Sequence, residues 1–176
     1  MGSDPFRGFT LVELLMVVAL LAVILAVAIP WYRGARRAGD EATALSTLET
    51  VNTAQAAFKA ICGNGRYAPD LPALGTPVPA SGESFLSADL TSGTQVRKAG
   101  YIIQMVGEPV PDAPAACNGA AVATGYAATA DPVVRAPGAR FFGTNASGAI
   151  YEHSETLTGT MPESGPAPAG REIGYD

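Results

Sequence analysis

The chain has 176 residues, the size of one ordinary domain, of which 48% are hydrophobic and 15% charged, with a formal net charge of −5. This acidic balance excludes a general nucleic-acid binder, which would present a basic surface. One histidine and two cysteines cannot by themselves supply a four-ligand zinc site. The 20 glycines and 14 prolines favour a loop-rich fold with short elements over most of the length.

The first predicted element is an apolar helix. Residues 9–29 read FTLVELLMVVALLAVILAVAI, in which Glu13 is the one charged residue. A helix of this length extends about 31 Å, enough for the roughly 30 Å hydrocarbon core of a bilayer. The run is longer than a signal peptide usually has, so we predict a membrane anchor. A carboxylate inside a span indicates function by default, and the alternative is that Glu13 lies in the headgroup region.

The start of this helix resembles a type IV prepilin. The sequence Gly8-Phe9-Thr10-Leu11-Val12-Glu13 is followed by an apolar run and then by Ala28-Ile29-Pro30. In that family a prepilin peptidase cuts after the glycine and methylates the new N-terminal residue. The resemblance therefore implies cleavage between Gly8 and Phe9, N-methylation of Phe9, a role for Glu13 in filament assembly and a helix-interrupting role for Pro30. It covers about the first 30 residues.

The orientation of the anchor is predicted from two opposing indications. One arginine, Arg7, precedes the span, whereas Arg33, Arg36 and Arg37 follow it, and a positive-inside count would leave the C-terminal part in the cytoplasm. The resemblance implies the opposite, a C-terminal domain outside the cytoplasm. The cysteine pair points the same way, so we expect an inner-membrane protein with a periplasmic domain before assembly into an extracellular filament.

After Pro30 the uniformly apolar pattern becomes amphipathic, and Gly63-Asn64-Gly65 supplies a helix stop. Pro30, Gly34 and Gly39 make residues 26–39 the weakest part of the helix. We predict that this stretch loses helical structure on assembly, with a continuous helix as the alternative for the isolated subunit. The predicted buried face consists of Leu45, Leu48, Val51, Ala54, Phe58 and Ile61, with Glu41, Glu49, Asn52, Gln55 and Lys59 between them.

The predicted fold is α+β and pilin-like, with the long helix packed on a four-stranded antiparallel sheet. Residues 66–90 are expected to form an irregular loop, and residues 159–176 to pair little. The predicted strands are 101–106, 125–130, 139–143 and 149–153, with a hairpin turn at Asn145-Ala146-Ser147-Gly148. The predicted domains are a leader at 1–8, a membrane-spanning and filament-core helix at 9–31, an amphipathic helix at 32–62 and a globular region at 63–176.

The two cysteines, Cys62 and Cys117, are predicted to form a disulfide, because an exported domain folds in an oxidising compartment. The bridge would close a loop of 56 residues and stabilise the fold by about 4 kcal/mol on the chain-entropy model. Two buried free thiols are the alternative. Catalytic use has little support, because His153 is the only candidate base.

The sequence gives little support for nucleotide binding, metal binding or glycosylation. The Gly63–Ala68 stretch GNGRYA follows a helix rather than a strand, so it is interpreted as a helix end and not as a dinucleotide site. Asp112, Asp131 and Glu152 lack the spacing of a calcium loop and are expected to be solvated acids. Asn145-Ala146-Ser147 is a formal glycosylation sequon that the hairpin turn already explains. We predict no enzyme activity, no metal and no cofactor.

The predicted function is therefore that of a structural subunit of a type IV pilus. The expected partners are further copies of the chain, a prepilin peptidase and the pilus assembly machinery of the inner membrane, with no direct nucleic-acid site. A minor pilin or a type II secretion pseudopilin has the same N-terminal motif and remains an alternative. A membrane-anchored binding module that never polymerises is a third hypothesis, and the cleavage motif with Glu13 argues against it.

Overall fold

The computed structural model describes residues 9–173. Its main helix, α1 (Leu11–Ile61), is 51 residues long and continues through Pro30. By internal contacts the chain divides after Gly39 into two compact units, and the second, from Asp40 onward, is called the head below. The helix is continuous through residues 26–39, in agreement with the alternative given for the isolated subunit.

Local hydrogen bonds define both ends of α1. At the start, the Thr10 Oγ1 accepts the backbone N–H of Glu13 at 3.2 Å, so Thr10 acts as the N-cap. At the end, Asn64 has a left-handed backbone with a φ of 53° and the Gly65 N–H donates to the Lys59 carbonyl at 3.1 Å. A Cβ at Gly63 would lie 2.8 Å from the ring of Phe58, so the chain can leave the helix this tightly only with glycine there.

The head contains one antiparallel sheet whose strands follow in chain order as a meander. Each strand pairs with the next one along the chain, for example Ile103 opposite Ala130 and Phe142 opposite Glu152. Two short helices precede the sheet, α2 (Leu71–Gly75) and α3 (Ala88–Thr91). The strands are β1 (Gln95–Lys98), β2 (Tyr101–Val106), β3 (Ala127–Pro132), β4 (Phe141–Asn145), β5 (Ile150–His153) and β6 (Arg171–Ile173).

The main core of the head contains buried side chains of α1, α2, α3 and the sheet. Leu48, Val51 and Phe58 are fully buried members of it on the head-packed part of α1. Phe58 meets Phe85 edge to face with ring centroids 5.4 Å apart. Burial of these side chains supplies the hydrophobic stabilisation of the head.

A second, smaller core is formed by Ala127, Tyr151, Leu157 and Met161. Successive residues 127–130 of β3 are all buried, which shows that both faces of this strand are covered. Gly143 makes the close packing feasible, since a Cβ there would lie 3.0 Å from Leu157. The segment that follows β5 therefore covers one face of the sheet as a second layer of packing.

The structure confirms the α+β class and the long helix on an antiparallel sheet, and it corrects several details. The sheet has six strands rather than four, because β1 and β6 flank the predicted set. Residues 66–90 are not wholly irregular, since α2 lies within them and α3 begins at residue 88. The end of the chain pairs more than expected, since β6 pairs with β5.

The predicted buried face of α1 is wrong at two positions. Ile61 is 75% exposed at the helix end, whereas Gln55 is fully buried. The Gln55 side chain donates to the Ala68 carbonyl at 2.8 Å and accepts the Ala68 N–H at 2.9 Å. These two bonds satisfy the amide in the core, which is why a polar residue is tolerated there.

Candidate assembly site

The candidate assembly site is the apolar segment, defined as residues 9–32. Every residue from 9 to 39 is exposed. The exposed fraction is 77% for Phe9, 67% for Leu20 and 44% for Val17. The helix is long and apolar enough to cross a membrane, judged by length and composition. A surface this apolar must be covered by lipid or by other protein to be stable.

The first turn of α1 positions the predicted assembly residues. Phe9 precedes the N-cap Thr10, and Glu13 lies in the first helical turn at an exposed position. A carboxylate here is favourable for the helix, whose N-terminus carries unsatisfied N–H groups and a positive dipole end. Gly8 and the rest of the predicted leader lie outside the described residues. Pro30 lies within the helix.

The predicted disulfide is present between Cys62 and Cys117, with the two Cα atoms 4.8 Å apart. Cys62 is 2% exposed just after α1, while Cys117 lies in the exposed loop between β2 and β3. The Cys117 N–H also donates to the Cys62 carbonyl at 3.0 Å. The bridge therefore joins the end of α1 to a long loop that has little regular structure of its own.

The acids considered as calcium ligands are not brought together. Asp131 accepts a hydrogen bond from Thr156 at 2.5 Å and lies 4.0 Å from Arg135, whereas Glu152 pairs with Arg140 and Arg171. Within residues 9–173 no group of three or more potential metal-binding side chains of the His, Cys, Asp or Glu type is found. Asp131 and Glu152 therefore have partners within the protein, whereas Asp112 lies exposed.

The sequon at Asn145 is buried. The Asn145 side chain has no exposed surface and donates to the carbonyls of Pro162 at 2.9 Å and Gly165 at 2.7 Å. The Gly148 N–H donates to the Asn145 carbonyl at 2.9 Å, which closes the predicted hairpin turn. In this fold the amide links β4 to the covering segment, and a glycan attached to it would need that segment to open.

A charged network that was not predicted links the start of the head to its sheet. Arg140 donates to Glu41 through Nε at 3.0 Å and to Glu152 through Nη1 at 2.8 Å, and Arg171 also donates to Glu152. The Arg171 hydrogen bond, reinforced by Arg140, lowers the pKa of the Glu152 carboxyl. The Glu41 hydrogen bond in turn raises the pKa of the Arg140 guanidinium. Long sequence separation, 99 positions between Glu41 and Arg140, hid this network from sequence reasoning.

The fold and the exposed segment together define an α+β protein with an apolar N-terminal helix that suggests membrane anchoring. The family model for the prokaryotic N-terminal methylation motif matches residues 5–29. With the long apolar helix, this match supports a type IV pilin-like prepilin, a class that includes pseudopilins. The resemblance predicted from the Gly8–Glu13 sequence is confirmed for that segment of the chain.

Proposed function

We propose that the chain is the structural subunit of a type IV pilus, which polymerises through its apolar helix into an extracellular filament. The observation that carries this proposal is the exposed apolar segment that coincides with the methylation motif. A purely water-soluble protein would bury such a surface, because each large apolar side chain gains about 1.5–3 kcal/mol on leaving water. Lipid before assembly and neighbouring helices after assembly would both provide that gain.

The proposed route begins with a single-pass protein in the inner membrane whose head is periplasmic. A prepilin peptidase would cut between Gly8 and Phe9 and methylate Phe9, and the assembly machinery would then extract the chain into the filament. Thr10 caps α1, and the helix begins at Leu11. The proposed cleavage point therefore precedes the helix.

Glu13 is proposed to pair with the α-amino group of Phe9 after cleavage. That ammonium would lie in membrane or filament core, where an isolated charge is costly, and a carboxylate one helical turn along can offset much of this cost. Pairing with a neighbouring subunit would also set the axial register, because only one stagger brings the two charges together. Glu13→Gln is therefore expected to reduce filament yield strongly. A yield equal to that of the unmodified chain would disprove the pairing.

The first experiment is to shear filaments from the native cells and analyse the N-terminus of this chain by mass spectrometry. A dominant species that begins with methylated Phe9 would establish a major pilin. A processed species present only in traces would instead indicate a minor pilin or a pseudopilin. An intact leader found only in the membrane fraction would contradict polymerisation and favour an anchored binding module.

The biological roles that follow from this proposal are those of the filament. Adhesion and twitching motility are proposed first, with DNA uptake as a further filament function. From Ala38 onward the sequence has 14 acidic and 7 basic residues, a balance that does not favour direct capture of nucleic acid. The proposed role is structural rather than enzymatic.

A further inference from the structure

A groove on the head lies beside the last turns of α1 and has a volume of about 570 Å³. Ala56 and Ala60 of the helix line it on one side, and Gly65 and Gly148 of two turns line it elsewhere. A Cβ added at Gly65 or Gly148 would meet no atom within 4 Å, which shows that the groove is open at these turns. The groove is thus wide enough to receive a side chain of another protein molecule.

Lys59 is the one charged residue among the described residues that line this groove. Its Nζ donates to the Tyr67 hydroxyl at 3.0 Å and lies 4.5 Å from the centre of that ring. Within the described chain no carboxylate lies within salt-bridge distance of Lys59. An ammonium has three N–H donors, so Lys59 keeps donor capacity after the bond to Tyr67.

The other polar groups of the groove are used within the protein. The Tyr67 hydroxyl donates to the Ala146 carbonyl at 3.5 Å, and the Tyr126 hydroxyl donates to Asn52 Oδ1 at 2.8 Å. Burial raises the pKa of the Tyr126 hydroxyl, so this phenol stays neutral. The groove therefore offers a single positive charge beside two aromatic rings. A carboxylate, with one negative charge and acceptor oxygens only, matches it better than a phosphate polymer, which binds to clusters of cations.

The surface of the head supplies many such carboxylates. Acidic residues outnumber basic residues two to one from Ala38 onward. Closely packed copies of an acidic head repel one another unless some carboxylates meet cations across the contact. In the described part of the head, six exposed acids form no ion pair, namely Glu49, Glu83, Glu108, Asp112, Glu155 and Glu172.

We propose that the Lys59 groove receives an aspartate or glutamate side chain of the adjacent copy in the filament. This inference rests on the proposed polymerisation and adds one specific contact between heads. In a helical polymer the contact is heterologous, so each copy would give one acid and accept another, and the pair would repeat along the whole filament. The occupant is thus a second copy of this chain.

The test uses the fact that the sequence contains two lysines, Lys59 and Lys98. A carbodiimide joins an amine to a carboxylate in contact with it, and Lys98 lies 2.8 Å from Asp89 of its own chain. We expect the Lys98–Asp89 cross-link in filaments and in detergent-dissociated subunits alike. A cross-link from Lys59 to an acidic residue of this chain is expected in filaments only, as identified by mass spectrometry.

Three outcomes would overturn the inference. Filaments that give the Lys98–Asp89 cross-link but none from Lys59 would refute the contact and leave the proposed function intact. A cross-link from Lys59 to a different protein would refute the second copy as occupant. Absence of filaments would refute the proposed function and this contact together. The cross-link is measured on the unmodified chain, so it does not depend on whether a variant folds.

Two variants then measure the contribution of the charge. Lys59→Gln is expected to lower the recovered filament mass about threefold at low salt, the size of effect that a partly exposed ion pair gives. Lys59→Arg keeps the charge and is expected to restore most of the yield, while Lys98→Gln serves as the matched control. High salt should reduce the difference between Lys59→Gln and the unmodified chain. An equal loss with Lys59→Gln and Lys59→Arg would contradict a charge-based contact.

Discussion

The two halves of α1 are both helical, but the first is exposed along its whole length and the second is partly buried in the head. From Leu11 to Gly39 every residue is exposed, whereas seven residues between Ala44 and Phe58 are buried in the head. The first half is also the more apolar of the two. The half that would gain most from leaving water is therefore the half that the chain itself does not cover.

This contrast shows that one helix can be stabilised by two different environments. The second half obtains its stability from side chains of its own head, and this can be measured on a single chain. The first half requires lipid or other copies, so its energetics appear only in a membrane or a filament. Substitutions in the two halves should accordingly affect different measurements, and the following predictions test that separation, from the largest expected effect to the smallest.

Removal of the disulfide should have the largest effect on the head. Joint substitution of Cys62→Ser and Cys117→Ser is expected to lower the free energy of unfolding by about 4 kcal/mol, because the bridge restricts the unfolded chain over 55 positions. Urea unfolding followed by near-ultraviolet circular dichroism would measure it. Reduction of the unmodified protein should reproduce the loss. Membrane insertion should be unchanged, and a variant that fails to insert would contradict the separation of the two halves.

A matched pair of leucines compares the halves directly. Leu48→Ala removes a fully buried side chain and should destabilise the head by about 3 kcal/mol. Leu20→Ala removes an exposed side chain of the first half and should change unfolding of the head by less than about 0.5 kcal/mol. Both variants would be measured by thermal unfolding in the same detergent. Similar losses for the two would show that the first half contributes to the stability of the head.

Sequence alone predicted the parts of the molecule that rest on local patterns. The apolar segment follows from composition, and the four central strands follow from β-branched and aromatic residues such as Ile102 and Phe142. The Gly8–Glu13 motif likewise identified the class of the candidate site. Hydrophobic period and motif spacing are properties of neighbouring residues, so a single sequence can show them.

The missed features depend on contacts between distant residues. Strand β1 carries only one apolar side chain, Val96, and β6 is three residues long after a run of proline and glycine, so neither has a strand pattern. Leu157 and Met161 are isolated apolar residues whose role appears only when they cover the sheet. The ion network and the Lys59 groove were missed for the same reason, since each brings together elements that are far apart in the chain.

Gln55 tests how burial in the second half of α1 affects stability, because it is a fully buried polar residue in an apolar face. Gln55→Leu places an apolar side chain of similar size in the core but leaves the N–H and carbonyl of Ala68 without their side-chain partner. We expect a loss of about 2 kcal/mol in the free energy of unfolding, the cost of unpaired buried backbone groups. Gln95→Leu is the control, because that amide is exposed and bonds Gln104 at the surface. An equal effect of both substitutions would contradict the role assigned to burial.

The smallest predicted effect concerns the pH dependence of the head. Because its arginine partners lower the pKa of Glu152, the folded state gains stability from this carboxylate above the ordinary glutamate range, about pH 4.3. That stability is lost as the pH falls from this range through the lowered pKa, where Glu152 is protonated in both states. The side chains of Arg171 and Arg140 are 80% and 47% exposed, so solvent screens the pairs and the contribution at neutral pH should stay below about 1 kcal/mol.

Glu152→Gln tests this linkage through the difference in unfolding free energy from the unmodified protein. The difference should be largest near pH 7, shrink as the pH is lowered to about 3, and decrease in high salt. Glu83→Gln, at an exposed acid that forms no ion pair within the described residues, should show no such trend. A pH-independent difference for Glu152→Gln would mean that Glu152 acts by packing alone. The charge of Glu152 would then contribute nothing to the network in which Arg140 also binds Glu41, which lies in the first turn of the head-packed half of α1.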